Sequence, residues 1–187
     1  REIKAMVRTA VMKGKVEKVP GVGKGVNQFA QPAKMSLSKA VKSILGNKNF
    51  VKWFGDSKVV DEKGEPLVVY HGTQSREDFS VFKTDQGRGF FPNGSSFHKD
   101  SDAASEYAAQ IGKARGRVYP VYLKIENPAS LEDFTEVLNI TGPDGAKVKA
   151  ALEEKGFDGM DSGGELWAFN PTQIKSIYNS GEFSATD

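Results

Sequence analysis

The chain has 187 residues, with 26 Lys and Arg against 24 Asp and Glu and no cysteine, which excludes disulfides, thiolate metal sites and cysteine nucleophiles. No apolar run approaches the roughly 18 residues of a membrane span, so no membrane partner is expected. The charges are unevenly distributed: residues 1–48 carry eleven basic and two acidic residues, a net charge of +9, whereas residues 49–187 have a net charge of −7. This asymmetry predicts a basic arm with short helices over residues 1–48 and an acidic globular domain over residues 49–187.

The N-terminal third is predicted to be a linker followed by the first core elements. Gly and Pro punctuate residues 1–34, which predicts a linker, and residues 3–12 have the spacing of a short amphipathic helix. Ser36 or Ser38 is a candidate N-cap for a helix that ends at Gly46. Further elements are an aromatic core segment at 49–55, a hairpin turn at 61–65 and an apolar strand at 66–70.

The rest of the chain predicts short strands interspersed with helices. In chain order we expect a loop at 87–96, a helix capped by Asp100 or Ser101 and running to Ile111, a strand at 117–126, a helix at 147–155, and closing strands at 166–169 and 174–178. Because helices and strands do not alternate regularly, an antiparallel or mixed α+β sheet is favoured over a doubly wound parallel one.

Few residues have the setting of a chemical site. His71 lies at a strand end before Gly72, whose backbone can approach a ligand closely. The alternative is that His71 satisfies a strand-end hydrogen bond. Glu165 begins an apolar strand after two glycines that leave room around it, although a carboxylate at a strand start is usually a solvated end residue. The two histidines, His71 and His98, have no metal-ligand spacing, so no metal is expected.

The basic arm has two interpretations that remain open. It is a solvated linker, or it binds nucleic acid or another acidic partner electrostatically. A glycine-rich segment at 21–25 lacks the spacing of a phosphate-binding loop, which disfavours a nucleotide site there.

Several short motifs, in this order, resemble the ADP-ribosyltransferase fold. They are VVYHGT at 68–73, SSF at 95–97, ASEYA at 104–108, YPVYLKIENP at 119–128, GFDGM at 156–160 and ELWAFNPTQIKSI at 165–177. The group they resemble has an H-Y-E signature and is related to diphtheria toxin and the poly-ADP-ribose polymerases. The lead-in at 50–73 and the ending at 169–176 are similar to transferase domains of phage polyvalent proteins and bacterial polymorphic toxins. The resemblance covers about residues 49–184 and implies a split β-sandwich of two small antiparallel sheets with flanking helices.

The resemblance assigns roles in binding NAD and in catalysis. His71 matches the histidine that hydrogen-bonds the adenosine-side ribose, and Gly72, followed by Thr73, matches the glycine that pairs with the nicotinamide carboxamide. Tyr107 matches an aromatic residue that stacks on nicotinamide, and Glu165 matches the catalytic glutamate. We expect the side chains of His71 and Glu165 to face one cleft between the two sheets.

Two positions depart from the pattern. Ser96 stands where relatives carry the signature tyrosine, so one wall of the nicotinamide site is missing unless Phe90, Phe91 or Phe97 supplies it. Phe97 and Tyr107 also have core packing as an alternative role. Gly163 occupies the position where relatives that modify arginine carry a second acid, which disfavours arginine as the acceptor.

The resemblance therefore implies a mono-ADP-ribosyltransferase that uses NAD as its substrate and releases nicotinamide. The expected acceptor is a host macromolecule, protein or RNA/DNA. The chain is expected to be a toxin or phage effector that acts in the cytoplasm of a target or host cell, with an immunity protein as a possible further partner. The alternatives are a non-catalytic module that binds NAD or a partner, an NAD glycohydrolase, and a transferase directed at nucleic acid by the basic arm.

Overall fold

A computed structural model describes residues 36–74, 81–85, 87, 89, 91–109 and 116–179. The described helices are α1 Leu37–Leu45, α2 Lys48–Phe54, α3 Ser101–Ala109, α4 Leu131–Thr141 and α5 Gly145–Glu154, with a 3₁₀ turn at Pro171–Gln173. The described strands are β1 Val69–Thr73, β2 Ser95–His98, β3 Arg117–Leu123, β4 Pro128–Ala129, β5 Gly159–Asp161, β6 Glu165–Ala168 and β7 Ile174–Ser176. The predicted helix at 3–12 and the linker up to residue 34 lie outside the described residues.

The seven strands form one sheet in the order β4-β5-β6-β2-β1-β3-β7, antiparallel except for the parallel β4–β5 pair. The α+β class is confirmed. The predicted split into two small sheets agrees in outline, although hydrogen bonding continues between the two halves from β4 to β7. The two halves nevertheless meet at a narrow junction. Strands β1 and β3 are in register along the whole of β1, whereas β1 and β2 are in register at Tyr70 and His98.

Alternation along the strands gives the sheet two different faces. One face, here called the core face, carries Val69, Phe97, Val121 and Leu166, which belong to a single buried cluster. The opposite face, here called the helix face, is covered by helices at both ends of the sheet. Tyr122 of β3 packs against α1 and α2, and Trp167 of β6 belongs to the cluster built from α4 and α5.

Helix α1 belongs to the globular core although the sequence placed it in the basic arm. The Ser36 side chain accepts a hydrogen bond from the Lys39 amide, as a helix cap should, and Gly46 ends the helix as predicted. Ala40 and Ile44 are 1% and 3% exposed and pack in the cluster that contains Tyr122. The globular part therefore includes residues before the predicted boundary at 48/49.

Several predicted elements are displaced or were not foreseen. The strand predicted at 66–70 is observed at Val69–Thr73, and Pro66 instead forms an isolated antiparallel bridge with Val60 around the predicted 61–65 turn. Helix α4 was not predicted. Its signal was present, because Ser130 and Asp133 form a capping box in which each side chain accepts a hydrogen bond from the other residue's amide.

Candidate active site

Glu165 is the first residue of β6, directly after a tight hairpin from β5. Gly163 of this hairpin has φ +97°, a conformation that strongly favours glycine, and its amide donates to Asp161 Oδ1 at 2.8 Å. The amide and the hydroxyl of Ser162 both donate to the Glu165 carbonyl at 3.0 Å. The main chain of Glu165 is therefore held on one side by its own turn.

The hairpin is also fixed to the end of β2. Lys99 Nζ lies 3.1 and 2.9 Å from the two carboxylate oxygens of Asp161, and the Lys99 amide donates to the Gly164 carbonyl at 3.2 Å. One lysine thus binds the turn by a charge-assisted contact and by a main-chain hydrogen bond. Both contacts constrain the turn just before Glu165.

The side chain of Glu165 lies beside a histidine that the predicted site did not include. His98 and Glu165 are directly opposite each other in the β2–β6 ladder, and His98 Nε2 is 3.8 Å from Glu165 Oε1. The two side chains are 18% and 25% exposed. The sequence signal was the alternation in β2, which puts Ser96 and His98 on one face, but pairing with Glu165 depends on a strand register that the sequence does not reveal.

His71 occupies the narrow junction between the two halves of the sheet. Its Nδ1 lies 2.7 Å from the main-chain oxygen of Ser96, and its ring centroid is 5.0 Å from that of Phe82 and 5.5 Å from that of Phe97. A carbonyl oxygen only accepts hydrogen bonds, so Nδ1 carries the proton. In the neutral ring Nε2 then bears the lone pair.

The surroundings of His71 keep it neutral at physiological pH. Burial disfavours the charged imidazolium and lowers the pKa of His71 below its ordinary value of 6.5, and the nearby charge of His98 acts in the same direction. The hydrogen bond to the Ser96 carbonyl opposes this shift but does not reverse it. The tautomer and the charge state of His71 are therefore both set by its neighbours.

The expectation that His71 and Glu165 face one cleft stays a prediction, although strand alternation places the two residues out of phase. His98, and with it Glu165, lies on the helix face, whereas His71 is one residue out of phase with Tyr70 and its ring packs against Phe82 and Phe97 of the core face. The physical reason is the two-residue period of the strands on either side of β2. The two positions adjoin through β2, whose Ser96 carbonyl contacts His71.

Gly72 is required by helix packing. A Cβ atom built on Gly72 would overlap the main-chain oxygen of Ala104 in α3, and one built on Gly116 would overlap that of Ala108. Helix α3 therefore lies in close contact with β1 and the start of β3 on the helix face. This packing brings Tyr107, a half-buried residue of α3, to the same face as Glu165. The Tyr107 carbonyl accepts a hydrogen bond from Gln74, which follows Thr73 at the end of β1.

Phe97 does not offer its ring to a ligand, contrary to its predicted role. Its side chain is 0% exposed and is part of the core-face cluster, which is the packing alternative. Phe91 stacks on Trp167 at 4.9 Å and on Phe134 at 5.6 Å, so it belongs to the cluster beneath α4. Phe90 lies outside the described residues. Ser96, by contrast, is half-buried and lies on the same face as Glu165.

Within the described ranges there is no group of three or more His, Asp or Glu residues arranged to hold a metal ion. Among the helices that the structure describes, none combines the length and apolarity needed to cross a bilayer.

Comparison with known proteins gives one match. A family model described as "ADP-Ribosyltransferase in polyvalent proteins" matches residues 61–183, which contain every residue discussed for this site. Searches of curated proteins and of solved structures find no match.

Proposed function

The chain belongs to the family of ADP-ribosyltransferases in polyvalent proteins, and from this premise we propose that it transfers a single ADP-ribose from NAD to a host macromolecule and releases nicotinamide. The observation that carries the proposal is the position of Glu165. This half-buried carboxylate lies at the start of β6 inside the matched region, on a hairpin fixed by Lys99 and Asp161.

The chemistry requires a carboxylate of this kind. Cleavage of the bond between nicotinamide and ribose develops positive charge on the ribose, as in glycoside hydrolysis. The nicotinamide ring of NAD already carries a formal positive charge and departs as a neutral molecule, so it needs no strong general acid. Glu165 stabilises the developing cation and orients a ribose hydroxyl, while the acceptor attacks the exposed face of the ribose.

The residues around β1 and β2 fit a nucleotide substrate. The neutral His71 offers a lone pair at Nε2, which suits a ribose hydroxyl as hydrogen-bond donor. The main chain of Gly72, with Thr73 beside it, receives the nicotinamide carboxamide, and Tyr107 supplies the stacking wall from α3. Ser96 takes the place of the signature tyrosine with a small hydroxyl side chain, so the second wall of the nicotinamide site is absent from β2.

The hairpin before Glu165 bears on which residue accepts the ADP-ribose. Gly163 adopts φ +97°, which an acidic side chain rarely does, and this agrees with an acceptor other than arginine. We propose that the chain is a toxin or phage effector that modifies a macromolecule in the cytoplasm of a host or target cell, and that an immunity protein is a natural partner for such an activity.

Incubation of the protein with labelled NAD and host-cell lysate tests the proposal. We expect label to appear on macromolecules and nicotinamide to be released. Release of nicotinamide with ADP-ribose as the other product would indicate an NAD glycohydrolase. Absence of both label transfer and nicotinamide release would contradict the proposal.

A second candidate, transfer to RNA or DNA, is favoured by the basic charge at the N-terminus. Lys39, Lys42, Lys48 and Lys52 are exposed on α1 and α2, and they continue the basic composition of the residues before them. Treatment of the labelled product with nuclease and with protease separates the two acceptors. Label lost to nuclease supports nucleic acid, and label lost to protease supports protein.

The missing tyrosine at Ser96 motivates a third candidate, a non-catalytic module. Calorimetric titration with NAD distinguishes it, because a module of this kind binds NAD or a partner without turnover. Binding together with nicotinamide release would exclude it.

A further inference from the structure

We propose that His98 is a positioning residue for Glu165, and that it orients the carboxylate during the reaction. This inference rests on the proposed function and concerns a residue outside the predicted site. It assigns to β2, through His98, a contact with Glu165 that Ser96 does not make, because Ser96 is opposite Trp167.

The geometry of the pair carries the inference. His98 Nε2 and Glu165 Oε1 are 3.8 Å apart, and both atoms are buried although the side chains are 18% and 25% exposed. Within the described part of the chain, His98 Nε2 makes no hydrogen bond. A buried nitrogen without such a bond is costly, and the carboxylate oxygen opposite it is the group that relieves this cost most directly.

The backbone gives the pair little freedom to separate. The two residues are directly opposite in the β2–β6 ladder, and Phe97 pairs with Leu166 next to them on the buried core face. On the other side, the Lys99 amide donates to the Gly164 carbonyl. The imidazole and the carboxylate are therefore flanked by fixed main-chain contacts, which favours a preorganised arrangement.

The charged and titratable groups around His98 come from β1 and β6. Tyr70 faces it from β1, His71 lies within electrostatic reach on the same strand, and Glu165 faces it from β6. Lys99, the next residue of the chain, is bound to Asp161 on the opposite side of the sheet. Glu165 is thus the acidic side chain that His98 contacts.

This arrangement has a consequence for catalysis. A carboxylate that stabilises a developing ribose cation must present an oxygen in a fixed direction. With Oε1 held beside His98, the plane of the Glu165 carboxylate has a defined orientation. His98 therefore acts through Glu165 and not on NAD itself, so its loss should change turnover more than substrate affinity.

Steady-state kinetics of nicotinamide release test the inference. We expect His98→Leu to lower kcat by about 10- to 100-fold, with KM for NAD within about twofold of the wild-type value. His98→Gln should recover part of this loss, because the amide keeps an N–H donor in place of Nε2. In a Glu165→Gln background, His98→Leu should change the residual rate by less than about twofold, since the two residues act as one unit.

A matched control is available at Glu126, which pairs with Lys124 at 3.3 Å at the end of β3, two strands away from β2. Glu126→Gln should leave kcat unchanged. If His98→Leu retains kcat within about twofold while Glu165→Gln loses it, or if the two losses are additive, the inference is overturned and the proposed function stands.

A spectroscopic measurement separates this inference from the proposed function. The chain has two histidines, so ring ¹H–¹³C signals are assigned by the single variants His71→Asn and His98→Gln. At fixed pH, Glu165→Gln should displace the His98 signal, whereas Glu126→Gln should not. If the wild-type protein releases no nicotinamide, the proposed function fails. If the His98 signal does not move in Glu165→Gln, the pairing itself is wrong.

Discussion

Glu165 owes its position to residues that are distant in the sequence. Its turn is bound by Lys99 through Asp161, and its side chain faces His98 across the β2–β6 ladder. The motif at 165–177 identified the glutamate, because that motif is local in the sequence. The partners depend on strand register, so the sequence alone did not place His98 beside it.

The single residue His71 predicts a pH dependence of stability, because burial lowers its pKa. Below pH 6.5 the unfolded chain binds a proton at this position before the folded chain does, so the free energy of unfolding falls as the pH decreases from 6.5 toward the lowered pKa. Above pH 6.5 this contribution is constant. The slope from one group is at most about 1.4 kcal/mol per pH unit.

The variant His71→Asn isolates that contribution. Asparagine does not titrate, and it keeps an N–H donor for the Ser96 carbonyl that His71 contacts at 2.7 Å. Urea denaturation at pH 7.0 and 5.5 should show that the variant loses less stability than the wild-type protein over this interval. Equal losses in the two proteins would contradict a lowered pKa for His71.

At the scale of elements, the contact between α3 and β1 shapes the helix face. The spacing in ASEYA at 104–108 predicted a helix here, and the Asp100 cap is observed as a hydrogen bond from the Asp102 amide to Asp100 Oδ1 at 2.9 Å. The sequence also suggested that Gly72 leaves room for a ligand. The structure gives a different reason, since the Ala104 carbonyl occupies the space that a side chain would need.

Replacement of Gly72 by alanine tests this packing. We expect Gly72→Ala to lower the free energy of unfolding by about 1–3 kcal/mol, because the added methyl group must displace the main chain of α3. Gly46→Ala is the control: its φ is −86°, and the nearest atom to an added Cβ is 3.9 Å away. Chemical denaturation should show that Gly46→Ala leaves the free energy of unfolding nearly unchanged and that Gly72→Ala lowers it. Similar values for both variants would contradict the packing account.

Elements were predicted well where local patterns decide them and poorly where tertiary contacts do. The caps at Ser36 and Asp100 and the alternation in β3 were visible in the sequence. The strand predicted at 66–70 began three residues early, because its apolar residues precede the ones that actually pair with β3. Helix α4 was missed although its capping box at Ser130 was visible.

At the scale of the molecule, the sheet consists of two halves joined at Tyr70 and His98. The family resemblance implied two small sheets with a cleft between them, and the structure agrees in outline, with two halves that meet at a narrow junction. His71 fills the junction on one side and His98 faces Glu165 on the other. A local motif could not specify this division, because it depends on how β1 and β2 diverge.

The basic arm predicts how labelling depends on salt concentration. Helices α1 and α2 pack in the core, so the deletion that tests the arm is residues 1–35, which carry a net charge of +6. If nucleic acid is the acceptor, this deletion should weaken labelling and reduce its dependence on salt concentration, because fewer phosphate contacts release fewer counterions. Unchanged labelling at every salt concentration would show that the arm is only a tether.

The most direct test of the account is the initial rate of nicotinamide release from NAD by three proteins: wild type, Glu165→Gln and Glu126→Gln. We predict that the wild type and Glu126→Gln release nicotinamide at the same rate, and that Glu165→Gln is slower by about 10²–10³ or more. Circular dichroism should show all three folded alike. Equal rates for the wild type and Glu165→Gln, or no release by the wild type, would contradict a transferase whose catalytic carboxylate is Glu165.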